Sequence, residues 1–235
     1  AALNRAIYDD VRLAEIKHSS DSLRAYFSKI VDERTENPGD DMISTFIKAE
    51  VDGERLAKIE VINLAILLLI GGTETTTNLL GGLFAGFHDH PEAFADARAD
   101  RSLVPQLLEE QLRYQPPVQS LFRHTTKELV LGGVNIPENS LVMPLLGSAN
   151  RDPEKFPNPN TFDLKRNVRG YCTFGQGPHF CMGNFLSKFE AAIAVNKLFD
   201  RFRVLEPLQQ PQEVRWIDSY FARGPATLPV RYELA

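Results

Sequence analysis

Phe174-Gly175-Gln176-Gly177-Pro178-His179-Phe180-Cys181-Met182-Gly183 sets one cysteine at the end of a glycine-studded loop. Directly after it, Asn184 to Phe202 reads as a helix, with Leu186, Phe189 and Ile193 at helical spacing and good helix formers between them. A cysteine at that junction feels the unpaired N–H groups and the positive end of the helix, and both favour thiolate over thiol. Gly175, Gly177 and Gly183 let the backbone turn tightly and approach a flat partner. The local reading is a thiolate presented on an open, backbone-lined surface, suited to ligating a metal. For Cys181 alone, an inert buried cysteine at a helix cap is the competing reading.

Gly71-Gly72-Thr73-Glu74-Thr75-Thr76 interrupts a long apolar stretch. An acid in a buried helix is costly unless it is paired, hydrated or functional. Thr75 can bond back to the carbonyl of Gly71, and the two glycines weaken the helix at the same place. An opened turn with an acid and an alcohol side by side suits proton delivery; a capped kink with a salt bridge is the plainer alternative. Glu110 and Arg113 are three apart on a helix, so they share a face and can pair. Cys172 reads as a small buried residue, because a zinc site needs further cysteine or histidine ligands at close spacing.

The pattern Phe-Gly-x-Gly-x-His-x-Cys-x-Gly resembles the haem-binding loop of the cytochrome P450 family. Three further segments stand in the family order: Gly71 to Thr76, then Glu110-Gln111-Leu112-Arg113, then Asn150-Arg151-Asp152-Pro153 leading to Phe162-Asp163-Leu164-Lys165-Arg166. The resemblance covers nearly the whole chain and is to soluble bacterial members. It implies that Cys181 is the axial ligand of the iron of haem b (iron protoporphyrin IX), in a loop whose Phe174, Gly175 and Gly183 help bind the cofactor. It implies that His179 and Arg123 contact the haem propionates. Glu74 and Thr75 match an acid–alcohol pair that relays protons to dioxygen, and Glu110, Arg113 and Arg166 match a structural triad holding the loop that carries Cys181. The implied activity is a haem-thiolate monooxygenase that uses dioxygen, with electrons from a donor such as a ferredoxin and its reductase, to hydroxylate a small apolar organic substrate. Val118 to Phe122 and Ser219 to Phe221 match regions that line the substrate pocket. Arg101, Lys165, Arg169 and Lys188 are candidates for the donor's docking face, with a merely solvated face the plainer reading of each.

The 235 residues, 43% of them apolar and 24% charged, suffice for a real core. A net charge of −5 without a basic stripe argues against nucleic-acid binding. Two cysteines in one loop region build no disulfide framework, which fits a cytoplasmic setting. The apolar run Val61 to Gly72, with Asn63 inside it, is too short to span a bilayer, so no membrane partner is expected and the stretch reads as a core helix buried on every side. Further helices are expected from Ser20 (a plausible N-cap), from Asp41, over 57–87, 92–98 and 103–114, with short strands near 129–134 and 140–143 and in the 203–234 tail. Asn139 stands where a left-handed turn is expected.

The fold class is thus mainly α with small β-sheets, a single domain over 1–235 corresponding to the C-terminal, haem-binding part of a cytochrome P450. A whole family member is much longer. A truncated haem-binding or interaction module, without turnover unless joined by a partner chain, is therefore the second reading. Its exposed apolar surface would call for the missing N-terminal half or for self-association.

Overall fold

Helix α1 spans Asp10–Glu36 in the computed structural model, which describes residues 10–235. The sequence reading of residues 1–9 lies outside the described residues. Ser20 is not a cap: α1 runs straight through it. Ion pairs from Arg12 to Glu15 (2.8 Å) and Lys17 to Asp21 (2.9 Å), each about one helical turn long, support the helix before and across the serine expected to start it. Asp41 does cap α2 (Met42–Lys48), accepting the Ser44 N–H at 2.8 Å. That backbone bond, with the Arg34 guanidinium beside it, holds the Asp41 carboxyl below its ordinary range.

The chain divides into two compact units, 1–72 and 73–235. In the first, Phe27 and Val31 of α1 pack with Val61, Ile62 and Ala65 of α3 (Lys58–Ala85), flanked by Ile43 and Phe46. A hairpin of β1 (Glu50–Val51) and β2 (Glu54–Arg55) turns on Asp52 (φ 54°) and Gly53 (φ 83°). Helix α3 continues without a break into the second unit, so the turn at Gly71–Gly72 is not opened.

Nor is α3 buried on every side. Leu67, Leu69 and Ile70 are 61%, 48% and 50% exposed, and Gly71 to Glu74 are exposed as well. The stretch is apolar in composition, yet these side chains are exposed. By length and composition α3 also meets the measure of a bilayer-spanning helix, which core helices of soluble proteins meet too.

The second unit is built around Leu79, Leu83 and Phe84 of α3, Phe94 and Ala97 of α4 (Pro91–Ala99), Leu107, Leu108 and Leu112 of α5 (Val104–Tyr114), and Ala191, Val195 and Phe199 of α7 (Asn184–Arg201). Prolines at the first turns of α4 and α5 start those helices at no hydrogen-bond cost. Short antiparallel pairs decorate this core: β3 (Arg123–His124) with β6 (Leu141–Val142), β4 (Leu129–Leu131) with β5 (Val134–Ile136), and β7 (Phe202–Pro207) with β8 (Val230–Leu234). Asn139 adopts the left-handed conformation, φ 60°. One further turn, α6 (Leu146–Ala149), leads into the long loop 150–183.

Helix α7 follows the helical spacing, and its stripe points outward. Leu186, Phe189 and Ile193 are 60%, 66% and 45% exposed, while Asn184, Ala191, Val195 and Phe199 face the core. The apolar stripe that revealed the helix is therefore its outer face.

Candidate functional site

The loop around Cys181 folds back on itself through its own backbone. The Cys181 N–H donates to the Phe174 carbonyl at 2.8 Å, and the Gly175 N–H donates to the Cys172 carbonyl at 2.9 Å. Between them Gly175 and Gly177 both take φ 70°, which a residue with a Cβ adopts only under strain. His179 sits in a short 3₁₀ turn, Gly177–His179, and is exposed. On the far side, the Cys181 carbonyl accepts from the Asn184 N–H at 3.4 Å and from Asn184 Nδ2 at 2.9 Å. The buried asparagine thus ties the cysteine to the first turn of α7. Phe174, Gly175, His179, Cys181 and Gly183 are all brought together in this one loop.

Cys181 is half-buried, and exposed Phe180, Met182, Phe185 and Leu186 surround it in sequence. Cys172 is only half-buried, although its N–H donates inward to the buried Asn150 side chain (2.6 Å).

Behind the loop lies a dense polar core. Arg113 is fully buried and spends all five of its N–H donors. Two go to the Glu110 carboxylate (2.7 and 2.8 Å), and the others reach the carbonyls of Asn150 (3.0 Å), Pro159 (2.9 Å) and Thr161 (3.2 Å). Glu110 also accepts from Arg166 Nε (3.1 Å) and from the Asp163 N–H (2.9 Å). Glu110, Arg113 and Arg166 thus meet in one ion-paired cluster that clamps residues 150–166.

Its link onward to the cysteine loop was not read from the sequence. Asn150, fully buried, donates through Nδ2 to Thr173 Oγ1 at 2.8 Å and accepts the Cys172 N–H; Thr173 Oγ1 in turn donates to the Leu112 carbonyl at 2.6 Å. Asn150 stood in a recognised motif, but nothing in its spacing disclosed this bridge. Replacing Asn150 with alanine strands the Cys172 N–H. We expect a loss of about 1–3 kcal/mol in urea unfolding; a change within a few tenths would show that the bridge does not matter.

The remaining sequence-read residues stand on other elements. Glu74 is exposed and Thr75 half-buried on α3, and Arg123 is exposed on β3, where Nη1 donates to the adjacent Phe122 carbonyl (2.8 Å). The two segments matched to a pocket lining do meet: the Gln119 N–H donates to the Phe221 carbonyl (2.7 Å) and Ser120 Oγ to the Tyr220 carbonyl (2.7 Å). Phe122, Tyr220 and Phe221 remain exposed. Of the four basic residues, Lys165 and Arg169 are exposed. Arg101 pairs with Asp200 (3.4 Å), and Lys188 pairs with Glu109 (2.9 Å).

Comparison with known proteins decides the family. The sequence model of the family described as cytochrome P450 matches residues 11–216. The chain belongs to the cytochrome P450 family.

Among P450 relatives, cytochrome P450 107B1 of Saccharopolyspora erythraea is 42% identical over 207 residues, 88% of this chain and 51% of the relative. The 6-deoxyerythronolide B hydroxylase of the same organism is 40% identical over 87% of this chain and 51% of its own length. Of solved structures, the P450 CYP109Q5 of Chondromyces apiculatus is 44% identical with a TM-score of 0.89, over 95% of this chain and 57% of that one. The chain spans about half the length of the curated P450 relatives it matches. Its mainly helical fold with small sheets is that of part of a P450.

P450 proteins bind haem, and the residues here fit it. A porphyrin supplies four of its iron's ligands, so one available sulfur suffices. Cys181 offers it from a backbone-closed loop beside exposed apolar side chains, and a Cβ added at Gly177 would meet nothing within 4 Å.

Proposed function

We propose that the protein is a haem-thiolate monooxygenase that hydroxylates a small apolar organic substrate, with Cys181 as the axial ligand of haem b. The half-buried Cys181, held by backbone on both sides and backed by the Arg113 clamp, is the observation that carries this reading. The bound haem would supply the iron at which dioxygen is activated. The chain's own residues do the rest. His179 and Arg123 would donate hydrogen bonds to the propionates. Exposed Glu74 exchanges protons with water, and the neighbouring, half-buried Thr75 passes them inward through Oγ1. The paired segments 118–122 and 219–221 present aromatic surface to an apolar substrate. Electrons come from a ferredoxin-type donor and its reductase, and a cytoplasmic location accords with this supply. On this reading residues 1–235 act as one P450 domain.

The test is to load the 235-residue chain with haem, reduce it, add carbon monoxide and record the absorption spectrum. A thiolate-type Soret band supports the reading; soluble, haem-loaded protein that lacks it even with a separately made N-terminal half added overturns the assignment of Cys181. Thr75→Ala is then expected to leave haem content unchanged while product formed per electron falls about tenfold or more, the electrons appearing as peroxide. Unchanged coupling would make Thr75 structural.

A second reading has its own support. The outer faces of α3 (Leu67, Leu69, Ile70) and α7 (Phe185, Leu186, Phe189) are apolar and exposed, and the chain spans half a relative. A truncated haem-binding or interaction module would cover them with an N-terminal half or a second copy. A thiolate band that develops only when a separately made N-terminal half is added favours this reading.

A further inference from the structure

Glu109 and Glu110 are adjacent on α5, about 100° apart around the helix, so one turn can serve two different loops. Glu110 belongs to the clamp on 150–166. Glu109 has no part in it. Its Oε2 accepts the Tyr171 hydroxyl at 2.6 Å, and its Oε1 takes the Lys188 ammonium at 2.9 Å. Both carboxylate oxygens are thereby used, and the Glu109 and Lys188 side chains are only 29% and 30% exposed. This is not a loose surface pair of the kind that contributes little.

The two partners flank the cysteine loop. Tyr171 enters it, three residues before Phe174, and Lys188 leaves it, seven residues after Cys181. One carboxylate therefore closes the neck of the loop. Inside that neck the Lys188 ammonium lies 5.7 Å from the centre of the Phe174 ring and 5.8 Å from that of Phe185. The Tyr171 and Phe174 rings meet at 6.2 Å. Phe174 is the residue whose carbonyl accepts the Cys181 N–H. Burial, and then the bond to Glu109, push the Tyr171 phenol far above its ordinary range, so it remains a donor.

We propose that Glu109, through Tyr171 and Lys188, is a positioning residue that closes the neck of the cysteine loop and sets where Cys181 presents its sulfur. The role of that sulfur as a haem ligand rests on the function proposed above; the closed neck does not. Lys188 is accordingly a strut of the site and not a free cation for a docking partner.

The test uses Glu109→Gln, which removes the charge at constant shape, and Tyr171→Phe, which removes one hydrogen bond and keeps the ring. In the haem-free 235-residue chain, exchange of the Cys181 amide is measured beside that of the α7 interior around Ala191. Exchange at Cys181 about tenfold faster in both variants, with α7 unchanged, is expected. In the haem-loaded, reduced, carbon monoxide-treated chain, the thiolate-type fraction should fall in both.

Unchanged exchange at Cys181 overturns the proposal. So does faster exchange with a full thiolate fraction, because the neck would then hold backbone without setting the sulfur. Should Glu109→Gln lose the α7 signal as a whole, Tyr171→Phe decides by the same criteria. If the unaltered chain shows no thiolate band with or without an added N-terminal half, the haem reading fails, while the exchange measurement still decides whether Glu109 closes the neck and holds Cys181.

Discussion

Arg113→Met is expected to destabilise the protein by about 3–5 kcal/mol, the range for breaking a buried ion pair from one side. Methionine fills much of the arginine's volume, so the loss is electrostatic and not a cavity. Three carbonyls, of Asn150, Pro159 and Thr161, lose their donor in the interior. The Glu110 carboxylate, 1% exposed, keeps only Arg166 and the Asp163 N–H. Domains are commonly stable by about 5–15 kcal/mol, so such a loss removes a large share of the total. Urea unfolding followed by far-UV circular dichroism measures it. Arg113→Lys should do little better, because an ammonium has three donors where five are in use. Arg55→Met makes the control: it breaks a pair with Glu50 whose side chains are 67% and 49% exposed, and should cost less than about 1 kcal/mol. Equal losses in the two variants would mean that the buried clamp is no stronger than a surface pair.

The clamp also shows how far the sequence could be read. Glu110 and Arg113 lie three apart on an evident helix, so their pairing follows from periodicity alone. Arg166 could be attached only by resemblance, since it arrives from a loop. The bonds that carry the clamp to the cysteine loop, through Asn150 and Thr173, were not legible. They are side-chain contacts, two to backbone and one to another side chain, across 22 to 61 positions, and no period or composition marks them. Glu109 is hidden for a related reason: its partners Tyr171 and Lys188 lie 62 and 79 positions away. Helices α3 and α7 expose the opposite limit. Apolar spacing located both correctly, yet said nothing of which face the chain itself covers. Leu186, Phe189 and Ile193 made α7 visible and are its outward side. Periodicity reports that a stripe exists; burial depends on what else is present to meet it.

Cys181→Ala is expected to abolish the thiolate-type band of the reduced, carbon monoxide-treated protein while leaving the fold intact. The reason lies in what Cys181 contributes besides sulfur. Its N–H donates to the Phe174 carbonyl and its own carbonyl accepts from Asn184 twice, all backbone roles on the Cys181 side that alanine retains. The loop should therefore keep its shape, and the urea midpoint should stay close to that of the unaltered chain. Cys172→Ala is the matched comparison. Cys172 likewise contributes its N–H to Asn150 Oδ1 and its carbonyl to the Gly175 N–H, so its removal tests a sulfur in the same loop under the same backbone constraints. On the proposed function the Cys172 variant keeps the full thiolate band. Loss of the band in that variant alone would transfer the ligand to Cys172. Loss in neither would mean that either cysteine of this loop can ligate the iron in the other's absence, and the assignment to Cys181 alone would fall.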